Sequence, residues 1–250
     1  MRLNLLVLSL MLLVMIPTSA QESITSFQQA NKAYQENRFD DAILSYTKII
    51  SSGYESWEVY YNLGNAYYKK DEIAHAILNL ERALILDPQN DDIKYNLQLA
   101  RLRIVDKIQE IPRLFFINWL RQISYAINIE MSGIATLLLL ATFIATLIVR
   151  LLKNKPLFEL KLTSFFLLLL LFLFSSSLLY RIYDAETNIH AIILTERVDI
   201  KSAPDDNSTD VFTLHSGVKV EIKDRSVEWV KIRLLDGKVG WTKKSDLEVI

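Results

Sequence analysis

The chain has 250 residues, 51% of them apolar, and its mean hydropathy of +0.18 is above what a soluble protein of this size needs. With 28 Lys and Arg against 29 Asp and Glu the net charge is −1, so no global field attracts nucleic acid or an acidic substrate. Cysteine is absent, which excludes disulfide frameworks, thiol nucleophiles and Cys-ligated zinc.

Met1 and Arg2 precede an apolar run from Leu3 to Ile16, and the small residues Thr18, Ser19 and Ala20 follow it. This pattern predicts a secretory signal peptide over residues 1–20, cleaved after Ala20; an uncleaved anchor helix is the alternative.

Residues 21–110 repeat themselves at a spacing of 34: Asn31 recurs as Asn65, Tyr34 as Tyr68, and Ala42-Ile43-Leu44 as Ala76-Ile77-Leu78. That is the tetratricopeptide period. The second copy has Leu63-Gly64, Tyr67, Ala76, Leu80, Ala83 and Pro88 in the motif's positions. Gly64 and Ala76 let paired helices approach, Leu63, Tyr67 and Leu80 fill their seam, and Pro88 ends the second helix. The first copy is weaker, with Ala30 and Ala33 at the glycine and tyrosine positions and a Gly53-containing turn in place of the proline. Residues 91–107 read as a capping third first-helix, with Ile93, Leu97, Ala100 and Ile104 on one face.

Stacked helix pairs present a concave groove lined by the first helices. The candidates for it are Asn31, Tyr34, Tyr61, Asn62, Asn65, Tyr68 and Lys69. They form either a specific peptide or protein site or a merely solvated inner surface. Some tetratricopeptide domains clamp a C-terminal carboxylate with two asparagines and several bases. Asn31 and Asn62 fall where those asparagines would, but Phe27, Asp92 and Asn96 stand where bases are expected, which argues against such a clamp.

Between residues 111 and 130, Leu114, Phe115, Ile117, Leu120, Ile123 and Ile127 mostly keep helical spacing around Trp119 and between Arg113 and Arg121. This predicts an amphipathic connector lying in the headgroup plane or packed on the repeats. Uncharged stretches follow at 131–149 and 162–180, each about 28 Å long as a helix. They are expected to be transmembrane helices over 131–150 and 162–181. The intervening loop, 151–161, has Lys153, Lys155 and Lys161, with Arg150 just before it, against Glu159 alone, which places it on the cytoplasmic side. Signal and loop agree on an inner-membrane protein with two spans and both flanking domains extracytoplasmic.

After Arg181 the period changes to two. Val218, Val220 and Ile222 alternate with charged residues, as do Val230, Ile232 and Leu234, and Asp236-Gly237 is a hairpin turn. Residues 188–250 resemble the bacterial SH3-like family in Ile200-Lys201-Ser202-Ala203-Pro204, Trp229-Val230-Lys231-Ile232 and Val239-Gly240-Trp241, which implies a small all-β barrel. Trp229 and Trp241 either fill or cover that barrel or bind its ligand; in the family such modules bind cell-wall peptides or proteins. Asp205-Asp206-Asn207 reads as an exposed turn rather than a calcium loop.

His75, His190 and His215 are scattered, and no HExxH, GxxxxGK[ST] or GxSxG motif occurs. No catalytic residues, cofactor or metal site are expected, and the chain reads as a binding protein rather than an enzyme. The fold class is therefore multi-domain: an all-α tetratricopeptide solenoid, a two-helix transmembrane hairpin and a small all-β SH3-like barrel. Signal, repeats, spans and barrel in this order resemble the E component of the bacterial aerotolerance (Bat) operon family. That resemblance implies a membrane scaffold working with other Bat components, among them von Willebrand A-domain membrane proteins, in a stress-tolerance assembly. The alternative is a peptidoglycan-binding anchor acting through the barrel.

Overall fold

The computed structural model describes residues 18–108, 129–152 and 158–250, with Ser124 and Ile127 between them. Residues 1–17 of the expected signal, most of the expected amphipathic connector and residues 153–157 of the basic loop lie outside the described residues. The chain forms two units, one combining the N-terminal helices with the C-terminal sheet, the other built on the two long apolar helices.

In the first unit five helices follow one another: α1 (Thr18–Gln35), α2 (Phe39–Ser51), α3 (Trp57–Lys69), α4 (Ile73–Leu86) and α5 (Asp91–Arg101). Each turn has a local cause. Asn37 and Asp71, 34 positions apart, both take a left-handed backbone (φ 58° and 69°) between paired helices, a conformation Asn and Asp tolerate better than most side chains. The Ser56 hydroxyl accepts from the Val59 N–H, and the Asn90 side chain accepts from the N–H groups of Asp92 and Ile93, starting α3 and α5. Gly53, at φ 84°, follows the end of α2. At Gly64 a Cβ would lie 2.8 Å from Leu80 Cγ and 3.1 Å from the Ala76 carbonyl oxygen, so the helix pair α3/α4 owes its close approach to that glycine.

Ala42, Tyr46, Ile49, Val59 and Leu63 make one buried cluster, and Ile77, Leu78, Leu80, Leu97 and Ala100 make the next. The helix expected to run to Lys107 stops at Arg101 instead. The Lys107 ammonium donates to the carbonyls of Arg101 and Leu102, covering the helix end, and Ile104 leaves the helix to meet the barrel.

The barrel is a seven-stranded antiparallel sheet, β1 (His190–Ile193), β2 (Arg197–Lys201), β3 (Asp210–His215), β4 (Lys219–Arg225), β5 (Trp229–Arg233), β6 (Val239–Lys243) and β7 (Leu247–Val249), in the order β3-β2-β6-β5-β4-β1-β7. Ile200, Leu214, Val220, Val230 and Ile232 fill it. Gly237 takes φ 91° in the hairpin before β6. At Gly240 a Cβ would lie 2.3 Å from Ile200 Cγ2 and 3.0 Å from the Lys201 carbonyl oxygen, so only glycine lets β6 cross β2 this closely.

Sheet and helices share a core. Ile192 of β1 is fully buried in the cluster of Ile77, Leu97 and Ala100, with Ile104, Leu194 and Ile250 packed around it. The Glu81 carboxylate, almost fully buried, accepts from Arg101 and, at 2.7 Å, from the Lys219 ammonium of β4. Burial works to raise the Glu81 pKa, but the two cations outweigh it and hold the carboxyl below its ordinary range. Arg82 donates to Glu248 and to the Val249 carbonyl at 2.8 and 2.7 Å. The Asp106 carboxylate accepts the His215 backbone N–H at 2.7 Å.

The second unit contains α6 (Ile129–Leu152) and α7 (Phe158–Thr187), packed side by side. Residues 131–152 and 158–184 are long and apolar enough to cross a membrane. Their hydroxyls bond within the helices: Thr136 to the Ser132 carbonyl, Thr146 to that of Thr142, Ser164 to that of Leu160. That internal satisfaction is what a hydroxyl needs away from water. Arg181, buried at the end of the apolar run, donates to the Ile127 carbonyl at 2.7 Å.

Candidate functional site

The first helices of the pairs, α1 and α3, stand beside α5 in one layer, and their polar residues meet across it. Asn31 on α1 accepts through Oδ1 from the Tyr46 hydroxyl at 2.5 Å and from Asn62 Nδ2 of α3 at 3.1 Å. The same relation recurs one repeat on: Asn96 Nδ2 of α5 donates to Asn65 Oδ1 and to the Tyr61 hydroxyl, both at 2.9 Å. Four of the seven groove candidates, Asn31, Tyr61, Asn62 and Asn65, are thus joined in a ladder rather than standing separately.

The remaining three frame it. Tyr34 is half-buried with its ring edge-on to Phe39 at 5.4 Å, the Arg103 guanidinium lies 5.4 Å over the Tyr68 ring while pairing with Asp71, and Lys69 is exposed. Burial, followed by the neighbouring Tyr61, pushes the Tyr34 pKa up, and burial pushes Tyr46 up further. Both stay neutral hydroxyls that can donate. Phe27, at a position where a clamp needs a base, packs on Tyr46 at 6.0 Å.

Asn96 is the residue that the sequence argument treated only as a missing base. Its function in the ladder was signalled by its spacing of 34 from Asn62, the same spacing that relates Asn31 to Asn65. A carboxamide offers two N–H donors and an oxygen with two lone pairs. The ladder uses one amide group each of Asn62 and Asn96 and the oxygens of Asn31 and Asn65.

On the barrel, β5 and β6 are paired so that Trp229 faces Lys243 and Lys231 faces Trp241, while Lys201 of β2 faces Trp241 from the other side. The Lys243 ammonium lies 5.5 Å over the Trp229 ring, and that of Lys231 lies 5.9 Å over Trp241. Asp206 pairs with Lys243 at 2.8 Å and Asp210 with Lys201 at 2.7 Å. Trp229 is 8% exposed and belongs to the packed barrel, whereas Trp241 is only half-buried. Asp205, in the acidic turn, accepts from the Asn207 N–H, the local bond of an exposed Asx turn. Of the histidines, His75 stacks on Tyr67 at 5.0 Å and His215 faces Asp106 at 3.3 Å.

A family model of the tetratricopeptide repeat matches residues 57–90, which cover α3 and α4. A family model of the bacterial SH3 domain matches residues 196–248, from just before β2 to β7. A search of the curated proteins finds no match to the chain. Ile192, Ile250, Ile104 and Asp106, which join helices to sheet, fall outside both matched segments. The chain therefore carries a tetratricopeptide repeat and a bacterial SH3 domain, both of them non-catalytic interaction modules, beside two helices long and apolar enough to cross a membrane.

Proposed function

We propose that this protein is a membrane-anchored scaffold of the bacterial aerotolerance type, held by two transmembrane helices with its repeats and barrel on the extracytoplasmic side. Its groove and its barrel bind partner proteins, other Bat components including von Willebrand A-domain membrane proteins. The observation that carries the reading is the bond between Arg82 and Glu248. Two residues that touch share a compartment, which supports an even number of crossings between them. The signal-like N-terminus and the basic connector support the outer side for both. The asparagine ladder with Tyr34 and Tyr68 supports the groove as the protein-binding surface, because it offers amide groups and aromatic faces together.

A reporter active only outside the cytoplasm, fused at Leu99, at Asn154 and after Ile250, tests the topology. Signal at the first and last sites alone is expected; signal at Asn154 overturns it. Co-purification of solubilised full-length protein then tests the groove, with Asn65→Ala plus Tyr68→Ala expected to remove the von Willebrand A-domain partners. Unchanged recovery counts against the groove.

The match to a bacterial SH3 domain supports a second reading, a wall anchor in which the face around Trp241 holds peptidoglycan. Retention of the full-length protein on purified wall material distinguishes it from the first.

A further inference from the structure

We propose that the barrel completes the solenoid, standing where the second helix of a third repeat would stand, so that the last groove helix, α5, is held in place by the barrel. The repeat register defines where that helix would start. The pair α3/α4 starts at Trp57 and Ile73, and α5 starts at Asp91, 34 residues after Trp57. A second helix would begin at residue 107, 34 after Ile73, yet residues 106–108 are not helical. The surface such a helix would cover is covered instead by β1, the turn before β4 and the chain's end: Ile192, Leu194, Gly217 and Ile250 against Ile77, Leu84 and Ile104.

The electrostatics of one repeat position argue the same way. In the first repeat this position is held by a neutral residue, Thr47. One repeat later it is held by Glu81, paired with Arg101. A neutral side chain has become a charged one, a carboxylate that is 3% exposed. A buried carboxylate is stable only with its charge and lone pairs matched. Lys219 supplies the second cation. Beneath the barrel the Glu81 carboxylate is matched from both sides, by Arg101 of α5 and by Lys219 of β4. Because α5 carries Asn96, the barrel's seat also sets the position of the last rung of the groove ladder.

Backbone hydrogen exchange on the full-length protein in detergent micelles tests this without any knowledge of a partner. Lys219→Met should speed exchange at residues 93–104 at least tenfold while leaving 42–50 unchanged, and Lys231→Met, beside Trp241, should change neither. Arg82→Glu and Glu248→Arg should each loosen the same residues, and the two together should restore protection. Both side chains of that pair are partly exposed, so this series is informative even where Lys219→Met does not fold. Protection of 93–104 that is indifferent to the Arg82 and Glu248 variants would overturn the proposal, as would a double exchange that fails to restore it.

Discussion

Asn62 donates to Asn31 across 31 positions of sequence, and Asn96 donates to Asn65 across the same 31. The first-helix layer is thus stitched by one interaction used twice. At its first rung Asn31 Oδ1 also accepts from the Tyr46 hydroxyl, whose ring is 1% exposed. Asn31→Ala therefore strands a buried donor, and it should destabilise the helical unit by about 1–3 kcal/mol, the cost of an unsatisfied buried polar group. Both bonds use the oxygen as acceptor, so Asn31→Asp should recover much of the loss. Chemical denaturation followed at the tyrosines checks the order, and an alanine variant as stable as wild type would show that the ladder is only a surface feature.

Gly64 and Gly240 make different demands on their neighbours. At Gly64 a new methyl meets Leu80 and the Ala76 carbonyl, and at Gly240 it meets Ile200 and the Lys201 carbonyl, with the deeper overlap at Ile200. Gly64→Ala should cost about 1–3 kcal/mol, as overpacking of a core usually does, and Gly240→Ala should cost more because its overlap with the β-branched Ile200 is deeper. Thermal melts of the two variants in the full-length protein give the comparison; an inverted order would mean that β6 can slide away from β2.

The pH response of Glu81 follows from its lowered folded-state pKa. A carboxyl whose pKa is depressed by folding contributes stability that is complete above its ordinary value of 4.5 and lost as pH falls through the folded value. Glu81→Gln should thus be less stable than wild type at neutral pH, and the gap should narrow below about pH 4.5 as the wild-type carboxylate takes up its proton. Glu221, lowered by Lys223 and Arg233 against the effect of its own burial, titrates in both proteins and cancels in the difference. A gap that stays constant from pH 7 to about 3.5 would mean that the Glu81 charge contributes nothing.

The parts of this structure that were legible in the sequence are those written in local periods. The repeat pattern gives the start of α5 at Asp91 to the residue, and the alternation at 218–222 and 230–234 gives β4 and β5, because helix and strand patterns repeat within a few residues. The seat of the barrel on the helices was not legible, since Glu81 and Lys219 are 138 residues apart and no local pattern records such a pairing. One signal did exist. Glu81 takes on α4 the position that Thr47 takes in the first repeat, and a charge at a buried repeat position asks for a partner from outside the repeat. The same long-range contact explains the early end of α5, whose apolar pattern continues to Ile104 although the helix does not.

The two tryptophans offered by the sequence as ligand contacts separate cleanly by burial, and this decides how the barrel is probed. Trp229 is packed under Lys243 as part of the fold, so Trp229→Ala should cost about 3 kcal/mol or more, in the range of large aromatic truncations in cores. Any binding lost with it would report unfolding. Trp241 is half-buried between Lys201 and Lys231 on the outward face, and its removal should cost about 1–2 kcal/mol while leaving the sheet intact. If the barrel is a wall anchor, Trp241→Ala should release the full-length protein from purified wall material while its melting curve stays cooperative. If the barrel acts mainly as the cap of the solenoid, the same variant should leave both retention and the exchange of α5 unchanged, whereas substitutions at Lys219 alter that exchange. The contrast between these two positions, on opposite duties of one small sheet, distinguishes a ligand face from a structural one without requiring the ligand's identity.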